Sequence, residues 1–137
     1  MALELLVLNA ATPVEIDAAF ASLVRHGVDG LVMGNDQFFQ VRQDQVIALA
    51  ARNRLPTIYE WPEFVRAGGL ACYSPDRMEM YRHMGVYVSR LLNGAKPAEL
   101  PVMQPIKFEL VINLKTAKSL GLNITESLQQ LADEVIE

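Results

Sequence analysis

A chain of 137 residues is the size of one domain or of part of a larger one, and a hydrophobic content of 51% is too high for a disordered polymer. A formal net charge of −4 with a pI near 5.2, and no clustering of the lysines and arginines, leaves no electrostatic footprint for nucleic acid or an anionic membrane. No apolar run approaches the roughly 18 residues of a membrane-spanning helix, and no basic segment leads into a signal-type apolar stretch.

Leu3 to Leu8 is a nearly continuous apolar run of strand length, the pattern of a strand covered on both faces. Thr12-Pro13-Val14-Glu15 then starts a helix. Thr12 caps the first amides, Pro13 suits the first turn, and Glu15 reaches back as the acidic member of a capping box. Ile16, Ala19, Phe20, Leu23 and Val24 form one apolar stripe, and Gly27 is placed to end the helix. Gly30 to Met33 reads as a short buried strand ending at Gly34-Asn35-Asp36, followed by a helix through Val46, Leu49 and Ala50 to Asn53. Pro56 to Tyr59 is a third strand, with its proline at the first position, where a missing amide is tolerated.

This β-α-β-α-β alternation predicts an α/β fold with a Rossmann-like parallel sheet and helices on both faces, a three-layer α/β/α arrangement. Gly69 to Tyr73 is a fourth extended stretch. It leads through Pro75 into a long helix with Met80, Met84, Tyr87, Val88, Leu91 and Leu92, ended by Gly94. Prolines at 97, 101 and 105 make residues 95–105 an extended connector. From Phe108 to Leu114, period-2 alternation gives a last strand, and the pattern then switches to helices. The first stops at Gly121. The second, capped by Thr125, carries a stripe of Leu128, Leu131, Ala132, Val135 and Ile136.

In a parallel α/β sheet, ligands bind beyond the carboxyl ends of the strands. Four segments are selected by that rule: residues 9–12, 34–39, 59–61 and 73–76. They gather Asn9, Asn35, Asp36, Phe38, Phe39, Tyr59, Glu60, Trp61, Tyr73 and Asp76 on one edge. Carboxylates there pair with an amine and aromatic faces cover a ring or an aliphatic body, which suits a small polar organic ligand. Singly, each has a plainer role: Asp36 and Asp76 as helix caps, Phe38 or Phe39 as packing, Trp61 as a loop plug, Glu60 as a solvated charge. Their convergence carries the reading.

Catalysis finds little support. The chain has no G-x-S-x-G, no Walker-type loop, no G-x-G-x-x-G after a strand and no H-E-x-x-H. His26 and His83 lack metal-ligand spacing, and Cys72 has no partner for a disulfide or a thiolate site. No metal or cofactor is indicated.

KFELVINLKTAKSLGL with the ending ADEVIE, preceded by LLNGAKPAELPV, resembles the C-terminal part of ABC-transporter substrate-binding proteins of the tryptophan/tyrosine-type group. LVMGNDQFF and LPTIYEWPEFVRAGGLACYSPD resemble the same family, so that the likeness runs from about Leu3 to Glu137. The resemblance implies a type I periplasmic-binding-protein fold, with two lobes joined by a hinge closing on a small ligand, of which this chain holds part. Residues 1–68 would belong to the second lobe, 69–106 to a hinge crossing with the long helix and connector, and 107–137 to the final strand and tail helices. The ligand contacts it implies are Asn35, Asp36, Phe38, Tyr59, Trp61, Tyr73 and Asp76; Asn35 stands where relatives often have proline. An amino-acid-like ligand, an ABC permease as partner and a periplasmic or lipid-anchored location follow from the resemblance, while the chain as written shows no export signal. The Leu128 to Ile136 stripe, lacking the other lobe to pack on, further predicts self-association as a homo-oligomer, a dimer being the simplest form. Two other readings stand beside this one: a non-binding remnant or interaction domain, and a flavodoxin- or receiver-like signalling domain using Asp36, for which the first strand offers only Glu4 as a further acid.

Overall fold

Short apolar stretches separated by helix-length spacers build a five-stranded sheet in the computed structural model, which describes residues 3–137. The strands are β1 (Leu31–Val32), β2 (Thr57–Tyr59), β3 (Ala71–Pro75), β4 (Phe108–Asn113) and β5 (Glu134–Ile136), and they lie side by side in that order. β1, β2 and β3 are parallel, with Val32 opposite Ile58 and Tyr59 opposite Cys72. β4 runs antiparallel to β3, and β5 is parallel to β4. The helices are α1 (Pro13–His26), α2 (Gln37–Val41), α3 (Gln43–Arg52), α4 (Pro62–Arg66), α5 (Arg77–Leu92), α6 (Leu114–Ser119) and α7 (Glu126–Gln130). None is long and apolar enough among the described residues to cross a membrane.

One core holds this together. Ile16, Phe20 and Leu23 of α1, Val46 and Ala50 of α3, and Phe64 and Val65 of α4 pack with Tyr59, Cys72 and Val111 of the sheet. Parallel strands laid down in chain order with right-handed crossovers place their connecting helices on the same face. The consequence shows on the other face, where Val32, Ile58 and Tyr73 are 78%, 45% and 61% exposed. The α/β class is as the sequence indicates. Over β1–β3, the described residues supply two of the three expected layers.

Local chemistry sets the element ends. The Thr12 hydroxyl accepts from Glu15 N at 3.2 Å, and Glu15 Oε2 accepts from Ala11 N at 2.7 Å, closing the capping box one residue earlier than its usual form. Gly27 ends α1 at φ +62°, in the left-handed region. Gly69 is required by a close approach: a Cβ there would lie 2.6 Å from Tyr59 Cε2 and 2.8 Å from the Phe64 carbonyl oxygen.

Four expectations are corrected. Residues 3–8 form no strand; Leu3, Leu5 and Val7 are exposed, and no described hydrogen bond ties them to β1. β1 is only two residues long and directs Leu31 N and Met33 N to β2, so it offers little ladder on its other side. Its Val32 is also exposed rather than buried. The predicted last helix ends at Gln130, and Glu134–Ile136 pairs with β4 as a strand. There the free edge of β4 overrides helical periodicity: Asp133 N donates to Leu110 O and the Asp133 carboxylate accepts from Leu110 N, both at 2.8 Å, while Val135 and Ile136 are β-branched. The continuous stripe from Leu128 to Ile136, on which self-association was predicted, therefore does not exist. The helix expected after Asp36 is two helices, broken at Arg42.

Candidate functional site

The parallel register of β1, β2 and β3 brings their carboxyl ends to one edge, where α2, α4 and α5 begin. Asp36 caps α2, accepting from Phe38 N at 2.8 Å. The backbone N–H of Asp36 donates to Glu60 Oε2 at 3.1 Å, and Gln40 Nε2 donates to Glu60 Oε1 at 3.1 Å. Glu60 thus joins the loops after β1 and β2. Burial pushes its carboxyl above the ordinary value, opposed by the hydrogen bonds from Gln40 and Asp36.

Trp61 precedes α4 and is buried, with the Arg77 guanidinium 4.2 Å from its ring centroid. Arg77 in turn donates to both oxygens of Glu63 at 3.1 and 3.2 Å. The Trp61 indole N–H and the Ser74 hydroxyl are the buried side-chain polar groups without a hydrogen-bond partner among the described residues. At the root of α5, Asp76 Oδ1 accepts from Met78 N and Glu79 N, and Oδ2 accepts from Lys107 Nζ at 2.5 Å. Lys107 and the helix amides hold the Asp76 carboxyl below the usual range, and Asp76 raises the Lys107 ammonium in return.

The seven residues proposed from sequence fall into different settings. Asn35 and Asp36 line a cleft of about 580 Å³ between residues 5–11 and β1. Phe38 is half-buried against Phe39 and the core. Trp61 walls a second cleft of about 260 Å³ beside α2 and α5. Asp76 borders a third of about 240 Å³ between α5 and the connector, with Met80, Met84 and Tyr87. Tyr59 points into the core, stacked on Phe64 with centroids 5.0 Å apart, and burial pushes its phenol up to about 12. Tyr73 lies on the open face of the sheet, stacked on Phe108 at 5.2 Å. Gln40, Glu63, Arg77 and Lys107 were not among the sequence candidates. They are brought in by contacts of 14 to 31 residues' separation, for which local pattern holds no signal; Gln40, directly after Phe39, and Arg77, directly after the Asp76 cap, sat beside selected positions.

Residues 1–136 match the family model of the ABC transporter substrate binding protein. The chain belongs to the ABC transporter substrate-binding protein family. Solved structures place this family member in its fold. An ABC domain from Streptococcus pneumonia, solved in complex with L-Trp, is 27% identical and superposes with a TM-score of 0.75 over 90% of this chain and 41% of its own. A conserved domain protein from Vibrio cholerae gives a TM-score of 0.82 at 22% identity over 92% of this chain and 42% of its own. A ligand-free, open substrate-binding protein with adhesive properties from Clostridium difficile gives 0.64 at 23% identity, over 93% and 42%. No protein of curated function matches the chain. The chain spans about two fifths of the length of these solved relatives.

Proposed function

We propose that the strand-exit edge of this chain is one side of a binding site for a small polar organic solute such as an amino acid, serving an ABC-type import system by binding without catalysis. The observation that carries the reading is the juxtaposition, at the carboxyl ends of three parallel strands, of Asp36, Glu60 and the buried Trp61 with its partnerless indole N–H, in a chain of the substrate-binding family. The L-Trp held by the pneumococcal relative supports an amino-acid-like ligand. In this reading residues 69–106 carry the chain across the hinge toward the first lobe, the longer protein acts outside the cytoplasm, and it delivers its solute to a permease. A half site leaves one side of the solute in water, so affinity for the chain alone is weak, with a Kd on the order of 1 mM.

Thermal unfolding in the presence of aromatic and branched amino acids tests this. At tenfold excess over such a Kd, binding stabilises by about 1.4 kcal/mol and raises Tm by about 4 °C. Trp61→Ala and Glu60→Gln each remove the shift. A melting curve that no amino acid moves would sink the reading. The exposed apolar faces of α5 and of β1–β3 also support association of the isolated chain with itself; a light-scattering mass equal to one chain at micromolar concentration would exclude it.

A further inference from the structure

The cleft of about 580 Å³ beside β1 has the form of a strand position in a sheet. One wall is β1, the other is residues 5–11, and the floor is Ile16, Ala19, Phe20 and Leu23 of α1. Leu31 N and Met33 N donate to carbonyls of β2 at 2.8 and 2.9 Å, so alternation turns the N–H and C=O of Val32 toward the cleft. In the opposite wall, the backbone of residues 3–10 takes part in none of the described hydrogen bonds. Each wall therefore offers an unpaired strand edge, that of β1 being short. In a sheet lying on a helix layer, a strand residue fills roughly 160 Å³, set by strand spacing, layer spacing and rise. The cleft thus holds about four residues of extended chain.

A segment that fills it must be extended, apolar and without a ladder of its own. Among the described residues, Leu3 to Leu8 meets those terms. Its exposure alternates as in a strand: Leu6 and Leu8 are each 38% exposed, against 87%, 85% and 70% for Leu3, Leu5 and Val7. Two copies can serve each other in the order β1, partner's residues 3–8, own residues 3–8, partner's β1, with a twofold axis at the centre. An axis perpendicular to the sheet would set both α1 helices on one face about 5 Å apart, where packed helices need about 8–10 Å. An axis along the strands sets them on opposite faces, and each α1 then covers the other copy's bare Leu3, Leu5 and Val7. Taking strands about 10 Å deep, the exchange buries two edges of the segment and one of β1, roughly 500 Å² per copy. The partner's α1 raises this into the roughly 600–1,000 Å² per partner of specific interfaces.

We propose that this cleft is the interface of a homodimer formed by strand exchange, in which residues 3–8 of each copy insert between β1 and residues 3–8 of the other. The proposal rests on the self-association reading above and assigns it one surface, distinct from α5 and its connector.

Light scattering and sedimentation equilibrium on the whole chain test it, with the mass of two chains expected. Leu5→Pro, at an exposed side chain whose amide makes none of the described hydrogen bonds, deletes an edge donor and weakens the dimer at least tenfold. The axis along the strands sets Glu4 beside its own counterpart, a like-charge pair, and Glu4→Gln tightens the dimer about twofold. Leu92→Lys, on an exposed side chain of α5, leaves the affinity unchanged. A dimer that Leu5→Pro does not weaken, or that Leu92→Lys dissociates, overturns the strand exchange and leaves self-association through another face standing. A Glu4→Gln dimer no tighter than the parent overturns the in-register pairing. The mass of one chain at micromolar concentration overturns the exchange and self-association together.

Discussion

Helices α4 and α5 leave adjacent strands of one sheet and meet opposite surroundings. α4 has five residues and buries Pro62, Phe64 and Val65, whereas α5 has sixteen and buries none. The longer helix has the better-formed cap, with Asp76 taking two backbone amides, and a rim of ion pairs. Caps and pairs of that kind set where a helix begins and contribute modestly. Apolar burial of the short helix is what anchors the sheet. α4 belongs to a unit that closes on itself, and α5 with its connector forms an arm tied to that unit mainly at its root.

The sharpest way to break the comparison is to cut each helix at one side chain. Phe64→Ala is expected to cost about 3–5 kcal/mol in denaturant unfolding, and Met84→Ala on α5 less than about 0.5 kcal/mol. Equal losses would show that the arm is packed after all. Gly69→Ala probes the same unit from the opposite direction. A methyl there is forced against the Tyr59 ring and the Phe64 carbonyl, and a loss of about 1–3 kcal/mol is expected from overpacking. Thr12→Ala removes one side of the capping box on α1 and should lower stability by about 1 kcal/mol by the same assay.

The smallest effect concerns pH and separates the root of the arm from the sheet edge. The Asp76 carboxyl lies lower in the fold than in the unfolded chain. Its contribution is therefore complete above the unfolded value, at about pH 4, and is lost as pH falls through the folded value. Asp76→Asn should flatten the acid limb of a stability–pH curve. Glu60, raised by burial, has the opposite sign: its contribution is present below the unfolded value and is lost as pH rises through the folded one. Glu60→Gln should steepen the acid limb that Asp76→Asn flattens. Two variants with the same slope would show that these carboxyls are not in distinct environments.

Sequence made the helical and central parts legible because their signals are local. Thr12, Pro13, Glu15 and Gly27 announce α1, and Pro56 and Gly69 mark the entries to β2 and β3. Residues 3–8 and 134–136 were misjudged for one reason seen from two sides. A strand exists only if an edge is there to receive it, and β4 provides that edge for Val135 whereas β1 does not for Leu5. For the candidate site, strand-end logic points to Asp36, Trp61 and Asp76, which do lie at the strand-exit edge, while strand alternation governs Tyr59. Thr57 and Tyr59 share the helix-covered face of β2, which sends Tyr59 into the core. Arg77 was hidden because its meaning depends on Trp61 and Glu63, reached only by folding.

The reversal of direction between β3 and β4 has a mechanical side. α5 departs from the end of β3, and its connector returns to the start of β4, so both ends of the arm are fastened to the same end of the antiparallel β3–β4 pair, whose last three positions, Tyr73 opposite Leu110 to Pro75 opposite Phe108, run on as a two-stranded ribbon beyond the pairing with β2 and β5. A turning force on the arm reaches the sheet as torsion of that ribbon, and twist is the deformation an antiparallel pair accepts with its hydrogen bonds intact. The arm is mounted on a torsion spring, with the Asp76 and Lys107 pair as the pin at its base.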